Sequence, residues 1–182
     1  MKPSFLAVAL CLFIGLVGCN TQTKTPVEDK PRTNTPATPM AVELKVTKLP
    51  EFLDFVKTHK GKIVVIDFWS TGCIPCMKAF PHHVELHEKY RDKGVVCMSV
   101  SLDLLEDKES ALKFLQKKNA AFPNFLISEK PTVWQDHYGF SPIPATMVYD
   151  AKGELRKFTN DDPDNGFTTE DVEKLVQKLL KG

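Results

Sequence analysis

Two cysteines separated by two residues follow closely on a long apolar run, and this junction constrains the fold more than any other feature of the sequence. The run covers residues 62–69 and is rich in Ile and Val, and the cysteines are Cys73 and Cys76. A continuous β-branched run is typical of a strand with apolar neighbours on both faces. We therefore predict a buried central strand that turns into a helix at the cysteine pair.

The residues around this junction predict alternating strands and helices. A helix is expected from about residue 73 to residue 92, and a second apolar strand over 95–102 completes a β-α-β unit. Before the junction, period-two alternation predicts a first strand over 42–46, and helical spacing predicts a helix over 50–59. The rest of the chain predicts a helix at 106–119, a strand or loop at 122–127, a helix at 132–138, a hairpin of 145–149 with 154–158, and a final helix capped by Thr168.

The first residues have the composition of an export signal. A positive charge at Lys2 precedes an apolar run over 5–17, which is shorter than the roughly 20 residues needed to cross a bilayer. The run ends at Gly18 and Cys19 in a sequence that resembles the lipobox of bacterial lipoproteins, whose cysteine receives a lipid after cleavage. We expect residues 1–18 to be a lipoprotein signal peptide and Cys19 to be lipidated. An ordinary signal peptide with an incidental cysteine is the alternative.

The next segment has too few apolar residues to form a core. Residues 19–41 are rich in threonine and proline, a composition that favours a disordered tether with an end-to-end distance of about 25 Å. We expect this lipidated tether to hold a single folded domain, residues 42–182, away from a membrane.

The five cysteines of the chain differ in their expected roles. Cys11 would leave with the signal peptide and Cys19 would carry the lipid. A single close pair, Cys73 and Cys76, in a domain exported to an oxidising compartment favours a working redox couple over a disulfide framework. Cys97 lies in a predicted apolar strand, where it should behave as a small apolar side chain.

The predicted helix start explains why the two cysteines of the pair would differ. The first amide groups of a helix have no intrahelical partner and its dipole is positive there, so a thiolate on Cys73 is favoured. Cys73 is therefore the expected nucleophile, and Cys76, one turn later, is expected to resolve the mixed disulfide. Half of a zinc site is the alternative, but a four-ligand site would require more ligands than Cys97 and scattered histidines such as His83 and His87. We expect neither a metal nor a cofactor.

Asp67 lies inside the apolar run that precedes the cysteines. An unpaired carboxylate in such surroundings is costly and has a raised pKa, which would allow it to carry protons. A strand-end aspartate that reaches water is the alternative.

Three segments of this sequence resemble the thioredoxin superfamily: residues 65–69 before the cysteines, Phe80-Pro81 in the helix after them, and residues 141–146 before the hairpin. The chain is more closely similar to the exported, membrane-anchored branch of thiol-disulfide oxidoreductases, which includes proteins that feed reductant to cytochrome c maturation. The resemblance extends from about residue 42 to the C-terminus. It implies an α/β, thioredoxin-like fold with a central mixed β-sheet flanked by helices, and it identifies 106–119 as an extra helical insertion.

The resemblance also implies roles for individual residues. Cys73 and Cys76 would form the redox-active disulfide, and Trp69 would pack beside them, although an indole there is also suitable core. Asp67 would lie behind Cys76 and assist its deprotonation. Pro144 would be a cis-proline that lies against the disulfide and holds the partner backbone; a trans proline in a loop is the alternative, because Pro142 lies nearby.

Some positions depart from the pattern of this branch. Gly72 stands where most relatives have a second tryptophan, Ala79 where several reductants have a glutamate, and Ser99 where thioredoxin has a lysine. The partner preference and the proton handling of the relatives are therefore not transferred to this chain.

Three rival functions have weaker support. A related copper metallochaperone family has its cysteines one residue further apart. Thiol peroxidases of this fold have a threonine where this chain has Ser70, together with a proline that is missing here. The intact cysteine pair argues against a redox-inactive adaptor.

The resemblance and the composition together predict the partners. We expect a net reductant of exported disulfide-containing proteins, such as apocytochrome c, because Ile74 and Pro75 offer no side-chain donor that would stabilise the thiolate. A membrane thiol donor would supply the electrons, and the protein would be a monomer, lipid-anchored in a bacterial cell envelope and facing the periplasm or extracytoplasmic space. The net charge of +1, with no clustered basic block, argues against nucleic acid.

Overall fold

The structure, a computed structural model, describes residues 41–159 and 166–182. The predicted signal peptide, the predicted lipidation site Cys19 and nearly all of the predicted tether lie outside these described residues. No helix within the described ranges combines the length and the apolar character needed to cross a bilayer.

The described residues form strands and helices that largely alternate along the chain. The strands are β1 (Lys45–Thr47), β2 (Ile63–Trp69), β3 (Val95–Ser101), β4 (Asn124–Ile127), β5 (Ala145–Tyr149) and β6 (Leu155–Thr159). The α-helices are α1 (Leu49–Lys57), α2 (Ile74–Tyr90), α3 (Lys108–Lys117), α4 (Pro131–Tyr138) and α5 (Thr169–Leu179), with short 3-10 helices at Arg91–Lys93 and Leu105–Asp107.

The six strands form one mixed sheet in the order β1-β4-β3-β2-β5-β6. The first four strands in this order run parallel, whereas β5 pairs antiparallel with β2 and β6 antiparallel with β5. The predicted mixed sheet flanked by helices is confirmed. Because β2 and β3 are parallel neighbours, their carboxyl ends meet at one edge of the sheet, which is where the cysteine pair begins.

Helices cover both faces of the sheet, as the largely apolar sequence of β2 predicts. Every residue of β2 is buried. On one face, α2, α3 and α5 pack in a core that includes Val65, Trp69 and Cys97. On the other face, α1 and α4 pack in a second core that includes Ile66 and Phe68.

Several predicted element boundaries were wrong by a few residues. The first strand was expected over 42–46 but covers Lys45–Thr47, the residues that pair with β4. Before it, the Glu43 carbonyl accepts a hydrogen bond from the side-chain amide of Asn124 at 3.4 Å. The helix predicted to reach residue 92 ends at Tyr90 and tightens into a 3-10 turn before Gly94, whose φ of 86° ends it in the left-handed region. The insertion helix begins at Lys108 after a 3-10 turn, so it is shorter than the predicted 106–119.

The start of α5 agrees with its predicted cap. The Thr168 hydroxyl oxygen accepts a hydrogen bond from the Asp171 backbone N–H, and the Asp171 side chain accepts one from the Thr168 backbone N–H. This reciprocal capping box satisfies two amide groups that the helix itself cannot pair.

Candidate active site

Cys73 caps the N-terminus of α2. Its Sγ accepts a hydrogen bond from the backbone N–H of Cys76 at 3.3 Å, and its own N–H donates to the carbonyl of Ser70 at 3.1 Å. Pro75 occupies the first turn, where its missing N–H leaves no gap in the hydrogen bonding. The sulfur of Cys73 therefore lies where unpaired amides and the helix dipole favour negative charge.

The two cysteines form a disulfide, and they differ in their access to solvent. Their Cα atoms are 5.3 Å apart. Cys76 is only 1% exposed, whereas Cys73 is partly exposed. A shallow groove passes over Cys73, lined by Ser70, Gly72, Cys73, Ile74, Pro75 and Ile143. A partner disulfide can therefore approach Cys73 more readily than Cys76.

Asp67 is a buried carboxyl group on β2, on the same face of the sheet as α2. It is 9% exposed, and the hydroxyl of Thr146 donates a hydrogen bond to its Oδ1 at 3.3 Å. Burial raises the pKa of Asp67 from 3.8 to about 7, and the Thr146 hydrogen bond opposes this rise. A carboxyl group with this pKa exchanges a proton near neutral pH.

Neighbouring strands complete the surroundings of Asp67. Ser99 is its register partner on β3, but the Ser99 hydroxyl donates to Oδ1 of Asn124 at 2.8 Å. Burial raises the pKa of the Cys97 thiol, and the charge of Asp67 raises it further. Cys97 is therefore held in its neutral thiol form, in keeping with an apolar role.

A groove of about 450 Å³ lies between α2 and the beginning of α5, and Asp67 is one of the residues that line it. Pro75 and Pro144 line the same groove, together with charged or titratable side chains from the two helices, namely Lys78, His82 and Glu170. This groove connects the surface of the molecule with the buried carboxyl group. Asp67 can exchange protons through it without unfolding of the sheet.

Pro144 lies in the loop that precedes β5. The Ile143–Pro144 peptide bond is cis, and so is the neighbouring Ser141–Pro142 bond. Ile143 lines the shallow groove over Cys73, and Pro144 lines the groove that contains Asp67. The loop therefore borders both grooves beside the cysteine pair.

Trp69 is fully buried at the end of β2. Its ring packs against Phe80 at 5.2 Å and Phe114 at 4.8 Å between centroids. The same apolar cluster includes Cys76, with Cys73 packed against it. Trp69 is thus part of the hydrophobic core and also a neighbour of the disulfide.

The loop between β2 and Cys73 is held by a residue that sequence reasoning did not single out. The carboxylate of Asp103, 8% exposed, accepts hydrogen bonds from the Thr71 backbone N–H at 2.9 Å and from the Thr71 hydroxyl at 2.6 Å. The Ser101 hydroxyl donates to the same carboxylate at 2.6 Å. The polar residues at the end of apolar β3 were the available signal, since parallel strands place such residues beside one another at one edge.

Two histidines of α2, His83 and His87, contact residues of the protein interior. Nε2 of His83 lies 2.9 Å from the carbonyl oxygen of Met98, and burial lowers the pKa of His83 to about 4. The ring of His87 packs edge-on against Phe122 at 5.2 Å, and burial lowers its pKa as well. Within the described ranges, no group of three or more His, Cys, Asp or Glu side chains could hold a metal ion.

Comparison with known proteins agrees with this architecture. The sequence matches the family described as Thioredoxin-like over residues 61–155. It is 31% identical to the thiol-disulfide oxidoreductase ResA of Bacillus cereus over 125 residues, which cover 68% of this chain and 67% of that protein. The ResA protein of Geobacillus kaustophilus is 28% identical over 121 residues, 66% of this chain and 65% of that protein. The chain thus spans slightly less than two thirds of some of its curated relatives.

Solved structures show the same fold. The thioredoxin domain of a thiol-disulfide oxidoreductase from Bacteroides vulgatus has a TM-score of 0.56 at 25% identity, covering 69% of this chain and 84% of that one. A thiol:disulfide interchange protein from a Bacteroides species has a TM-score of 0.53 at 25% identity, and the match covers 70% of this chain and 78% of that one. A mixed sheet of this order with a cysteine pair at a helix start defines a thioredoxin-like protein, and this chain belongs to the thioredoxin-like family.

Proposed function

We propose that this chain is a thiol-disulfide oxidoreductase in which Cys73 attacks a partner disulfide and Cys76 resolves the product. The observation that carries this proposal is the asymmetry of the pair at the start of α2. The accessible sulfur of Cys73 accepts a hydrogen bond from the backbone N–H of Cys76, and the side chain of Cys76 is itself buried. The names of the relatives support the same reaction.

The exchange transfers two electrons in two steps. The Cys73 thiolate attacks one sulfur of the partner disulfide, forms a mixed disulfide and releases the other partner sulfur as a thiolate, which is then protonated. The Cys76 thiolate next attacks Sγ of Cys73, which re-forms the internal disulfide and releases the second partner thiol. The protein dithiol is oxidised and the partner disulfide is reduced.

Asp67 and Pro144 serve this exchange in our proposal. Cys76 must lose a proton before it attacks, and Asp67 accepts that proton because its pKa of about 7 lets it exchange at neutral pH. The backbone beside Pro144 holds the partner segment against the disulfide. Trp69 packs against the buried side of the pair and keeps water from it.

We further propose that the protein acts as a net reductant. The helix start favours the Cys73 thiolate, but Ile74 and Pro75 add no side-chain donor to it. About 1.4 kcal/mol of thiolate stabilisation corresponds to about 30 mV in a two-electron couple, so a missing charge-assisted hydrogen bond favours the disulfide form by that amount or more. A thiol donor in the membrane would return the protein to its dithiol form.

The location in this proposal is the cell envelope. Cys19 carries the lipid, residues 19–41 act as the tether, and the domain of residues 42–182 acts as a monomer on exported disulfide proteins such as apocytochrome c. The lipobox-like sequence at Cys19 supports the anchor. Cys19→Ser protein is expected to leave the membrane fraction in high salt, and continued partition with membranes would contradict the anchor.

Reduction of insulin disulfides tests the activity. With dithiothreitol as the electron source, wild-type protein is expected to accelerate insulin reduction, and Cys73→Ser is expected to abolish the acceleration. Cys97→Ser is the matched control, because it removes a buried thiol outside the pair and should retain activity. Equal acceleration by wild type and Cys73→Ser would contradict the proposal.

A further inference from the structure

Lysine side chains are concentrated at the end of the sheet that is opposite the cysteine pair. Lys62 directly precedes β2 and the cysteine pair follows this strand, so they are separated by a seven-residue strand about 20 Å long. A hollow of about 170 Å³ lies beside Lys62, and its lining includes Lys57, Lys60, Lys62 and Lys152. We call these four residues the lysine end of the domain.

Backbone hydrogen bonds hold the loops at this end side by side. The N–H of Gly61 donates to the carbonyl of Ala151 at 3.2 Å, which joins the loop after α1 to the turn between β5 and β6. The N–H of Ile63 donates to the carbonyl of Gly94 at 3.1 Å, which adds the loop before β3. Together these loops contain six lysine or arginine side chains and two aspartates, over residues 57–62, 91–94 and 150–153.

Three of the four lysines have no ion-pair partner in the part of the chain that the structure describes. Lys57 pairs with Asp54 at 2.8 Å, whereas Lys60, Lys62 and Lys152 are exposed and form no ion pair there. A basic residue in the last turn of a helix stabilises the helix dipole, which accounts for Lys57 on α1. The other three lie in loops, so the dipole does not account for them.

The cysteine end of the sheet carries charge of the opposite sign. β3 runs parallel to β2, and the segment that follows it, residues 102–109, contains four acidic residues and one lysine. The net charge of the whole chain is only +1. The charges are therefore separated between the two ends of the strands. A negatively charged surface attracts the lysine end of such a domain and repels the cysteine end.

The chain enters the domain from the side of the lysine end. β1 runs parallel to β4, and through β4 and β3 it has the same direction as β2, so the residues before β1 lie towards the amino ends of these strands. The carbonyl of Glu43 accepts a hydrogen bond at 3.4 Å from the side-chain amide of Asn124, the first residue of β4. In the proposed location, the tether of residues 19–41 joins the domain on this side.

We propose that the lysine end binds the anionic headgroups of the membrane to which the chain is tethered, with the cysteine pair facing away from the bilayer. Each lysine near an anionic lipid surface strengthens this attraction, which acts within a Debye length of about 10 Å at 0.1 M salt. The tether keeps the domain near the membrane, and the lysine end sets its orientation. The inference rests on the proposed location in the cell envelope and not on the exchange reaction.

Binding to lipid vesicles tests the lysine end. The protein used begins at residue 19 and carries Cys19→Ser, so that it keeps every described strand and helix but cannot receive a lipid. Sedimentation at low salt compares mixed phosphatidylcholine and phosphatidylglycerol vesicles with vesicles of phosphatidylcholine alone. We expect this unlipidated protein to prefer the anionic vesicles. Adding Lys60→Gln/Lys62→Gln/Lys152→Gln should weaken that binding about 100-fold, since each lysine contributes roughly fivefold.

A matched variant separates the position of the lysines from the net charge. Lys48→Gln/Lys108→Gln/Lys130→Gln removes the same charge from the cysteine end, because these lysines follow β1, β3 and β4. It should bind the anionic vesicles at least as tightly as the unlipidated protein does. Added salt should release the bound protein, because salt screens the attraction. Urea unfolding should give similar midpoints for both triple variants, since all six lysines are exposed.

Several outcomes would overturn the lysine end as a membrane contact. These are equal binding by the two triple variants, equal affinity of the unlipidated protein for anionic and neutral vesicles, and a preference for polyglutamate over anionic vesicles, which would indicate an acidic protein partner. Slower insulin reduction by vesicle-bound than by free protein would contradict the orientation. Protein that binds vesicles through its lysines but never reduces insulin would contradict the exchange reaction alone, so the two failures are distinguishable.

Discussion

The Asp103 carboxylate accepts two hydrogen bonds from Thr71, from the backbone N–H at 2.9 Å and from the hydroxyl at 2.6 Å. Thr71 lies two residues before Cys73, and Asp103 lies two residues after the end of β3. The contact therefore joins the loop before the nucleophile to the neighbouring parallel strand. It fixes the point at which β2 turns into α2.

Thr71→Val is expected to lower the free energy of unfolding by about 2 kcal/mol, the usual loss for a hydrogen bond to a charged group. The substitution removes the hydroxyl but keeps the shape of the side chain and the backbone donor. Thr71→Ser retains the hydroxyl and should lose much less. Urea denaturation of the oxidised proteins gives the comparison, and equal losses for the two variants would show that the hydroxyl contact contributes nothing.

Cys76→Ser is expected to accumulate partner proteins as mixed disulfides on Cys73. The nucleophile remains in this variant, but the thiol that releases the partner is gone. Non-reducing electrophoresis of cell-envelope extracts detects the adducts, and Cys73→Ser should show none. Adducts that form on Cys73→Ser and not on Cys76→Ser would reverse the two roles.

Asp67→Asn is expected to slow insulin reduction at neutral pH, because the amide keeps the shape of the side chain but cannot accept a proton. In wild type, turnover should rise with pH around an inflection near 7, the pKa to which burial raises Asp67. Thr146→Val removes the hydrogen bond that lowers this pKa, so its inflection should move to higher pH. If Asp67→Asn turned over as fast as wild type at every pH between 6 and 8, the proton-accepting role would be ruled out.

Asp67 and His83 are expected to affect stability in opposite directions as the pH changes. Burial raises the pKa of Asp67 from 3.8 to about 7, so the folded state holds more protons over that range and stability falls as pH rises. Burial lowers the pKa of His83 from 6.5 to about 4, so stability rises with pH between those values. Each group changes the free energy of unfolding by at most about 1.4 kcal/mol per pH unit.

These opposing slopes predict little net change in wild-type stability between pH 4 and 6.5. Asp67→Asn removes the loss of stability that the Asp67 carboxyl group causes as the pH rises. The stability of this variant should therefore rise with pH across the same interval, because the contribution of His83 remains. Urea unfolding of the oxidised proteins at several pH values gives the difference. Parallel pH profiles for wild type and Asp67→Asn would contradict the raised pKa of Asp67.

The sequence predicted the local elements near the cysteine pair well, because those elements depend on short-range patterns. The apolar run of β2, the helix start at Cys73 and the cap at Thr168 each have a local signature. The length of β1 could not be read in this way, since it depends on which residues pair with β4, a strand almost 80 residues later in the chain. Strand ends are set by partners that are distant in the sequence.

Polar contacts between distant segments were also beyond the reach of sequence patterns. Asp67 was identified from its apolar neighbours, but its partner Thr146 lies 79 residues later and is brought close by the antiparallel pairing of β2 and β5. The contact between Thr71 and Asp103 spans 32 residues and depends on the parallel pairing of β2 and β3. The sequence shows which polar groups are costly to bury. The strand pairing decides which distant residues form hydrogen bonds with them.

The midpoint potential of the Cys73–Cys76 couple tests the proposed reductant most directly. The protein is equilibrated in buffers of reduced and oxidised glutathione, and the dithiol fraction is measured by thiol alkylation. Because Ile74 and Pro75 give the thiolate no side-chain donor, the midpoint should lie far below that of the strong periplasmic oxidants and closer to the value of about −270 mV for thioredoxin. A midpoint near −120 mV, the value of those oxidants, would contradict the account.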